Sequence, residues 1–72
     1  MYKYEIDIFW SAEDDRYIAV VPDLPGCSAH GRTYKEALAE AEIAMAFWLE
    51  VAQEEGRSIP KPSVRPVQAV AG

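Results

Sequence analysis

The single cysteine and the single histidine, Cys27 and His30, are the side chains best suited to nucleophilic or metal chemistry. A zinc site needs four ligands, or three plus water, so these two residues cannot complete one. They could act as nucleophile and base only if their side chains met. Residues at an odd spacing on one strand point to opposite faces, so we predict no catalytic role for either residue.

Acidic side chains are the second candidate, because paired carboxylates hold metal ions in nucleases. Asp7 lies in a predicted strand, Glu42 lies at the edge of a predicted helix stripe, and no acid follows Glu55. The sequence also has no glycine-rich phosphate loop and no serine–histidine–aspartate set. We therefore predict that the chain is not an enzyme. A residual metal-dependent nuclease using Asp7, Glu42 or Cys27 stays open as an alternative.

Size and charge restrict the class of protein further. The 72 residues are enough for one domain, and one cysteine excludes an internal disulfide framework. No apolar run approaches the roughly 20 residues that cross a bilayer, so we expect a soluble cytoplasmic protein. The net charge of −5 opposes nucleic-acid binding and favours a basic protein partner, although solubility alone would also explain it.

The first half of the chain has the pattern of an antiparallel meander. Polar and apolar residues alternate over 2–10, which predicts a strand with one face on the core. The residues on that face are Tyr2, Tyr4, Ile6, Ile8 and Trp10. A turn-prone segment at 11–15 leads to a second predicted strand at 16–21. Pro25-Gly26 suits a type II turn, and residues 27–30 are long enough for a short third strand.

The second half predicts one long helix and an extended tail. Thr33 and Glu36 form a capping-box pattern, in which the Thr33 hydroxyl accepts from Glu36 N–H and the Glu36 carboxylate accepts from Thr33 N–H. The helix should run to about Glu55, with Gly56 as its terminator. A stripe predicted to cover the sheet consists of Tyr34, Leu38, Ala41, Met45, Trp48, Leu49 and Ala52.

Ile43 and Phe47 lie near the opposite side of this helix, four residues apart and among glutamates. Scattered apolar residues on a surface are common, so an ordinary exposed pair is one interpretation. The other interpretation, which we prefer, is an interface with a subunit or a partner protein. This preference predicts a homo-oligomer, a dimer or a tetramer.

The predicted fold is α+β: a small three- to four-stranded, mostly antiparallel sheet with one long helix packed on one face. We place the domain at residues 1–63. Residues 64–72 form either an edge strand, in which Pro66 would need an edge position, or a flexible tail.

These elements resemble the HicB family of type II antitoxins. The resemblance rests on a turn, a helix start and an exit motif, namely Pro22-Asp23-Leu24-Pro25-Gly26-Cys27, then Gly31, then Glu36-Ala37, and finally residues 54–63 with Ile59-Pro60-Lys61-Pro62-Ser63. Together they cover most of the chain.

The resemblance implies a β-β-β-α-β, partial ribonuclease H-like fold. It also implies a non-catalytic binding module that sequesters a small basic HicA-type mRNA interferase. The family usually adds a C-terminal DNA-binding segment, which this sequence does not show, so we expect no direct nucleic-acid binding and no cofactor. An orphan homo-oligomer without a toxin stays open as the alternative.

Overall fold

The computed structural model describes residues 3–64. Three strands precede one helix: β1 (Asp7–Ser11), β2 (Arg16–Val20), β3 (Ser28–Gly31) and α1 (Tyr34–Glu54). The strands form an antiparallel sheet in the order β1-β2-β3, and α1 packs on one face, mainly on β3. The predicted α+β class is confirmed. The fourth strand falls almost wholly outside the described residues, so the ribonuclease H-like detail stays a prediction.

The first strand is shorter than the sequence pattern predicted. It begins at Asp7, which pairs with Val20, the last residue of β2. Beyond Val20 the chain enters a turn at Pro22, which has no N–H to donate, so the ladder between β1 and β2 ends at this pair.

The described side chains that were predicted to share one face of the first segment lie on that face, but the last of them is not covered by the helix. Tyr4, Ile6 and Ile8 are partly buried and pack against core residues. Trp10 is 48% exposed and packs edge-on against Tyr17 instead. Tyr2, which was predicted to share this face, lies outside the described residues.

The helix buries a narrower stripe than predicted. Its buried residues are Ala37, Ala41, Met45, Leu49 and Ala52. Leu38 is exposed because α1 lies mainly over β3, which leaves the β1 side of the helix uncovered. Tyr34, at the first helical residue, is also exposed and lies against the Tyr17 ring with centroids 4.2 Å apart. Trp48 is half-buried at the rim of the core.

In the described part of the chain, the core consists of two small clusters. Leu24 and Cys27 of the turn meet Val21, Met45 and Leu49 in the first cluster. The second consists of three alanines, Ala19, Ala37 and Ala41, all with no exposed area. Small side chains here let α1 approach the sheet closely. Within residues 3–64, no helix is long and apolar enough to cross a membrane.

Candidate partner-binding surface

The segment between β2 and β3 is a tight double turn. Leu24 N–H donates to the Val21 carbonyl at 3.1 Å, and Cys27 N–H donates to the Leu24 carbonyl at 2.9 Å. Gly26 has φ +79°, which together with Pro25 before it is the geometry of a type II turn. Val21 N–H donates back to the Cys27 carbonyl at 3.0 Å and closes the turn onto the sheet.

Two side chains anchor this turn to the rest of the chain. The Trp48 indole N–H donates to the Pro25 carbonyl at 2.9 Å, which ties the turn to α1. Asp23 accepts twice from Ser63, from the backbone N–H at 2.8 Å and from the hydroxyl at 2.6 Å. The turn motif and the exit motif of the sequence therefore contact each other directly.

The hydrogen bonds between Asp23 and Ser63 also favour the ionised form of the carboxyl. The Ser63 hydroxyl and then the Ser63 N–H hold the pKa of Asp23 below its usual value, because both donate to the ionised form. The exit segment has a further anchor in Tyr4, whose hydroxyl donates to the Pro60 carbonyl. These contacts give the turn a structural role.

Cys27 and His30 point to different environments. Cys27 is 4% exposed, lies in the first core cluster, and has a thiol pKa that burial raises. His30 is exposed in β3, where it lies opposite Ile18 of β2. A buried thiol with a raised pKa is a poor nucleophile, because the thiolate is the reactive form. The two residues do not form a catalytic pair.

Carboxylates are likewise not gathered into a metal site. In the described part of the chain, no group of three or more His, Cys, Asp or Glu side chains is placed to hold a metal ion. Asp7 begins β1 at the sheet surface, and Glu42 is exposed on α1.

The helix start follows the predicted cap with one change of partner. Thr33 is the N-cap, and its hydroxyl accepts from Glu36 N–H at 3.0 Å. The Glu36 carboxylate accepts from Arg32 N–H at 3.2 Å, not from Thr33 as predicted. Arg32 directly follows β3, so its N–H lies within reach of the first helical turn. At the other end Gly56 has φ +70°, as a helix terminator requires.

One exposed stripe of α1 faces away from the core. At roughly 100° per residue its members lie within about 40° of one line. We call it the outer stripe, and it consists of Glu36, Glu40, Ile43, Phe47, Glu50 and Glu54. Ile43 is 63% exposed and Phe47 is 67% exposed. The stripe is thus apolar at its centre and acidic at both ends.

A groove runs between this stripe and the sheet edge. It is an open groove with a volume of about 590 Å³, and we call it the edge groove. Arg16, Ser28 and His30 lie on its strand side, and Glu36, Glu40 and Phe47 lie on its helix side. Among the described residues, β3 is an outer strand of the sheet, so its outward backbone groups border this groove.

The sequence pattern did not predict the edge groove, nor a second surface, the sheet face opposite α1, which no described helix or strand covers. Phe9, 48% exposed, lies opposite Ile18 on that face, and Ile18 lies opposite His30. A meander places its third strand at an edge, so strand order was the signal that could have revealed the groove.

Comparison with known proteins identifies the family. The sequence profile described as the HicB_like antitoxin of bacterial toxin-antitoxin systems matches residues 4–70. The chain belongs to this family. The match includes the turn, the helix, the exit motif and the residues that follow it.

Individual relatives agree with this assignment. A UPF0150 protein of Thermoplasma acidophilum is 34% identical over 65 residues, which is 90% of this chain and 93% of the relative. An uncharacterized 14.9 kDa protein of Haemophilus phage HP1, from its rep-hol intergenic region, is 40% identical over 48 residues. That match covers 67% of this HicB-like chain but 36% of the phage protein.

A solved structure shares the fold. The HicB-like chain superposes on a chain of the HicA3 and HicB3 toxin-antitoxin complex with a TM-score of 0.71 and 32% sequence identity. The superposition covers 88% of this chain and 71% of the other.

Proposed function

We propose that this chain is an antitoxin that binds and neutralises a small basic HicA-type toxin, an mRNA interferase. The observation that carries the proposal is the family match over residues 4–70, supported by the similarity to a chain of a HicA3 and HicB3 complex. The net charge of −5 suits a basic partner, because opposite charges steer association. The encounter takes place in the cytoplasm, where an mRNA interferase finds its substrate.

The proposed role is binding without catalysis. A binding role is supported by the described residues, in which Cys27 is buried, His30 is exposed and no group of three or more His, Cys, Asp or Glu side chains is placed to hold a metal ion. Neutralisation then depends on covering the toxin, and direct nucleic-acid binding by this acidic chain is not part of the proposal.

The proposed contact surface is the apolar centre of the outer stripe. Ile43 and Phe47 are large, mostly exposed and adjacent on one helix face, whereas the core-facing side of α1 is already filled. An exposed apolar patch with a polar rim is typical of a protein interface.

Co-expression tests the antitoxin role. The toxin candidate is the product of the reading frame adjacent to the one that encodes this chain, provided that it is a small basic protein. Induction of that protein alone should arrest growth, and co-expression of this chain should restore growth and yield a copurified complex. Growth arrest that persists with every small basic neighbour, despite abundant folded chain, contradicts the proposal.

The alternative role is an orphan homo-oligomer without a toxin. The exposure of Ile43 and Phe47 is the observation that favours it, because a second copy could cover both residues. In that case Phe47→Glu should shift the mass in solution towards a monomer, as measured by light scattering. A wild-type chain that is already monomeric would exclude this alternative.

A further inference from the structure

Within residues 3–64, the outer edge of β3 presents a short row of backbone groups that no strand pairs with. The hydrogen bond from Val21 N–H to the Cys27 carbonyl continues the β2–β3 ladder. Residues of an antiparallel strand direct their backbone groups alternately to one side and the other. Ala29 therefore faces β2, whereas Ser28 and His30 direct N–H and C=O into the edge groove. No described strand lies on that side of β3.

The end of this row is closed by the chain itself. Arg32 is the next residue in the outward alternation, and its N–H donates to the Glu36 carboxylate at 3.2 Å. The available edge is therefore limited to the groups of Ser28 and His30, which line the same groove as Phe47. A short added strand can bind to the N–H and C=O groups of Ser28 and His30 and pack against the apolar side chain of Phe47.

The charges on the helix side indicate what kind of strand fits. Ile43 and Phe47 are preceded by two glutamates and followed by two more in the outer stripe, Glu36, Glu40, Glu50 and Glu54. The stripe itself contains no Lys or Arg, and Arg16, on the strand side of the edge groove, is the cation among the described residues that line the groove. An occupant with an apolar centre and Lys or Arg on both sides of it would match this pattern.

A second copy of this chain fits the same site poorly. Packing of two outer stripes, parallel or antiparallel, sets glutamate against glutamate at both ends, and such like-charge contacts are unfavourable. Pairing of two β3 edges would bring the strands about 4.8 Å apart. Because each α1 lies mainly over its own β3, the two helices would then overlap. Packed helices need about 8–10 Å between their axes.

We propose that the edge groove and the outer stripe together form the toxin-docking site, and that the toxin occupies it with an extended basic segment. This inference rests on the proposed antitoxin function. The segment pairs with β3 through the backbone groups of Ser28 and His30. Its apolar side chains cover Ile43 and Phe47, and its basic side chains meet the glutamates of the stripe.

A set of variants tests each component, with the affinity for the toxin measured by calorimetry and the association rate measured by stopped-flow mixing. The probe is the purified product of the adjacent reading frame, and melting curves confirm that each variant folds. Phe47→Glu should weaken binding by at least about 30-fold, as loss of a central hot spot does. The double reversal Glu40→Lys with Glu50→Lys should slow association by about tenfold at low salt. The matched control, Glu13→Lys with Glu42→Lys, makes the same charge change away from the stripe.

The edge contact has its own pair of variants. Ser28 is the first residue of an edge strand and its N–H points outward, so proline there spares the ladder with β2. Ser28→Ala keeps that N–H, and it should bind about tenfold more tightly than Ser28→Pro. Bound toxin should slow hydrogen exchange at the Ser28 and His30 amides. Exchange at the Ala29 amide should be slow both with and without toxin.

The outcomes separate this inference from the proposed function. If the wild-type chain does not bind the toxin, both are overturned. If it binds, but the Phe47 and Ser28 variants bind equally well and the Ser28 and His30 amides are unchanged, the docking site is wrong and the antitoxin role stands. A wild-type homodimer that Phe47→Glu splits, with toxin binding unaffected, would assign the groove to a second copy instead.

Discussion

Gly31→Ala tests how closely α1 approaches the sheet. A Cβ at Gly31 would lie 2.5 Å from the Ala37 nitrogen and 2.8 Å from the Glu36 carbonyl carbon, where ordinary contact begins at 3.4 Å. Both are backbone atoms of the first helical turn, so no side-chain rotation relieves the overlap. The helix must move by roughly 1 Å, which loosens the contact between Ala37, Ala41 and Ala19.

Overpacking of this kind costs about 1–3 kcal/mol of the free energy of unfolding. A domain of this size has on the order of 4–11 kcal/mol in total and shifts its Tm by about 4–8 °C per kcal/mol. We expect Gly31→Ala to lower the Tm by on the order of 10 °C in calorimetry. The methyl resonances of Ala19 and Ala41 should shift as well.

Gly56→Ala is the matched control. Gly56 has φ +70° and nothing within 4 Å of an added Cβ, so its substitution strains the backbone without displacing the helix. It should leave the Ala19 and Ala41 methyl resonances in place. A Gly31→Ala variant with the wild-type Tm and unchanged alanine methyls would refute the close approach.

Three further predictions concern the cap, the turn and the thiol. Thr33→Ala removes the acceptor for Glu36 N–H and should lower the free energy of unfolding by about 1 kcal/mol in urea denaturation. Thr33→Ser keeps a hydroxyl acceptor and should retain most of this stability. The pKa of Asp23 is depressed in the folded chain, so its stabilising contact with Ser63 is present above about pH 4 and is lost as pH falls through the lower folded pKa. The Ser63 amide resonance should shift with pH as this contact is lost. In Asp23→Asn this pH-dependent shift should disappear. Cys27 should react with iodoacetamide many times more slowly in the folded chain than in urea, and equal rates would contradict its burial.

Local signals in the sequence predicted much of the fold. The capping pattern at Thr33, the glycine at Gly56 and the Pro25-Gly26 turn each depend on residues a few positions apart. Their backbone geometry is set by short-range sterics and hydrogen bonds, and the structure shows each of them at its predicted position. The odd spacing of Cys27 and His30 likewise indicated separate environments.

Features that depend on tertiary placement could not be predicted in this way. The start of β1 is set by the length of its partner β2, and the exposure of Leu38 is set by the position of α1 over β3. The hydrogen bonds between Asp23 and Ser63 join residues 40 positions apart, and no periodicity signals such a contact. The edge groove depends in the same way on how the helix lies beside the outer strand.

Inhibition of the toxin tests the central claim most directly. RNA cleavage by the purified toxin should be measured while the wild-type chain is added in increasing amounts. The antitoxin role predicts that cleavage falls to background once the chain reaches about a stoichiometric amount, with Phe47→Glu requiring a large excess. Cleavage that continues undiminished at a large excess of folded wild-type chain would contradict it.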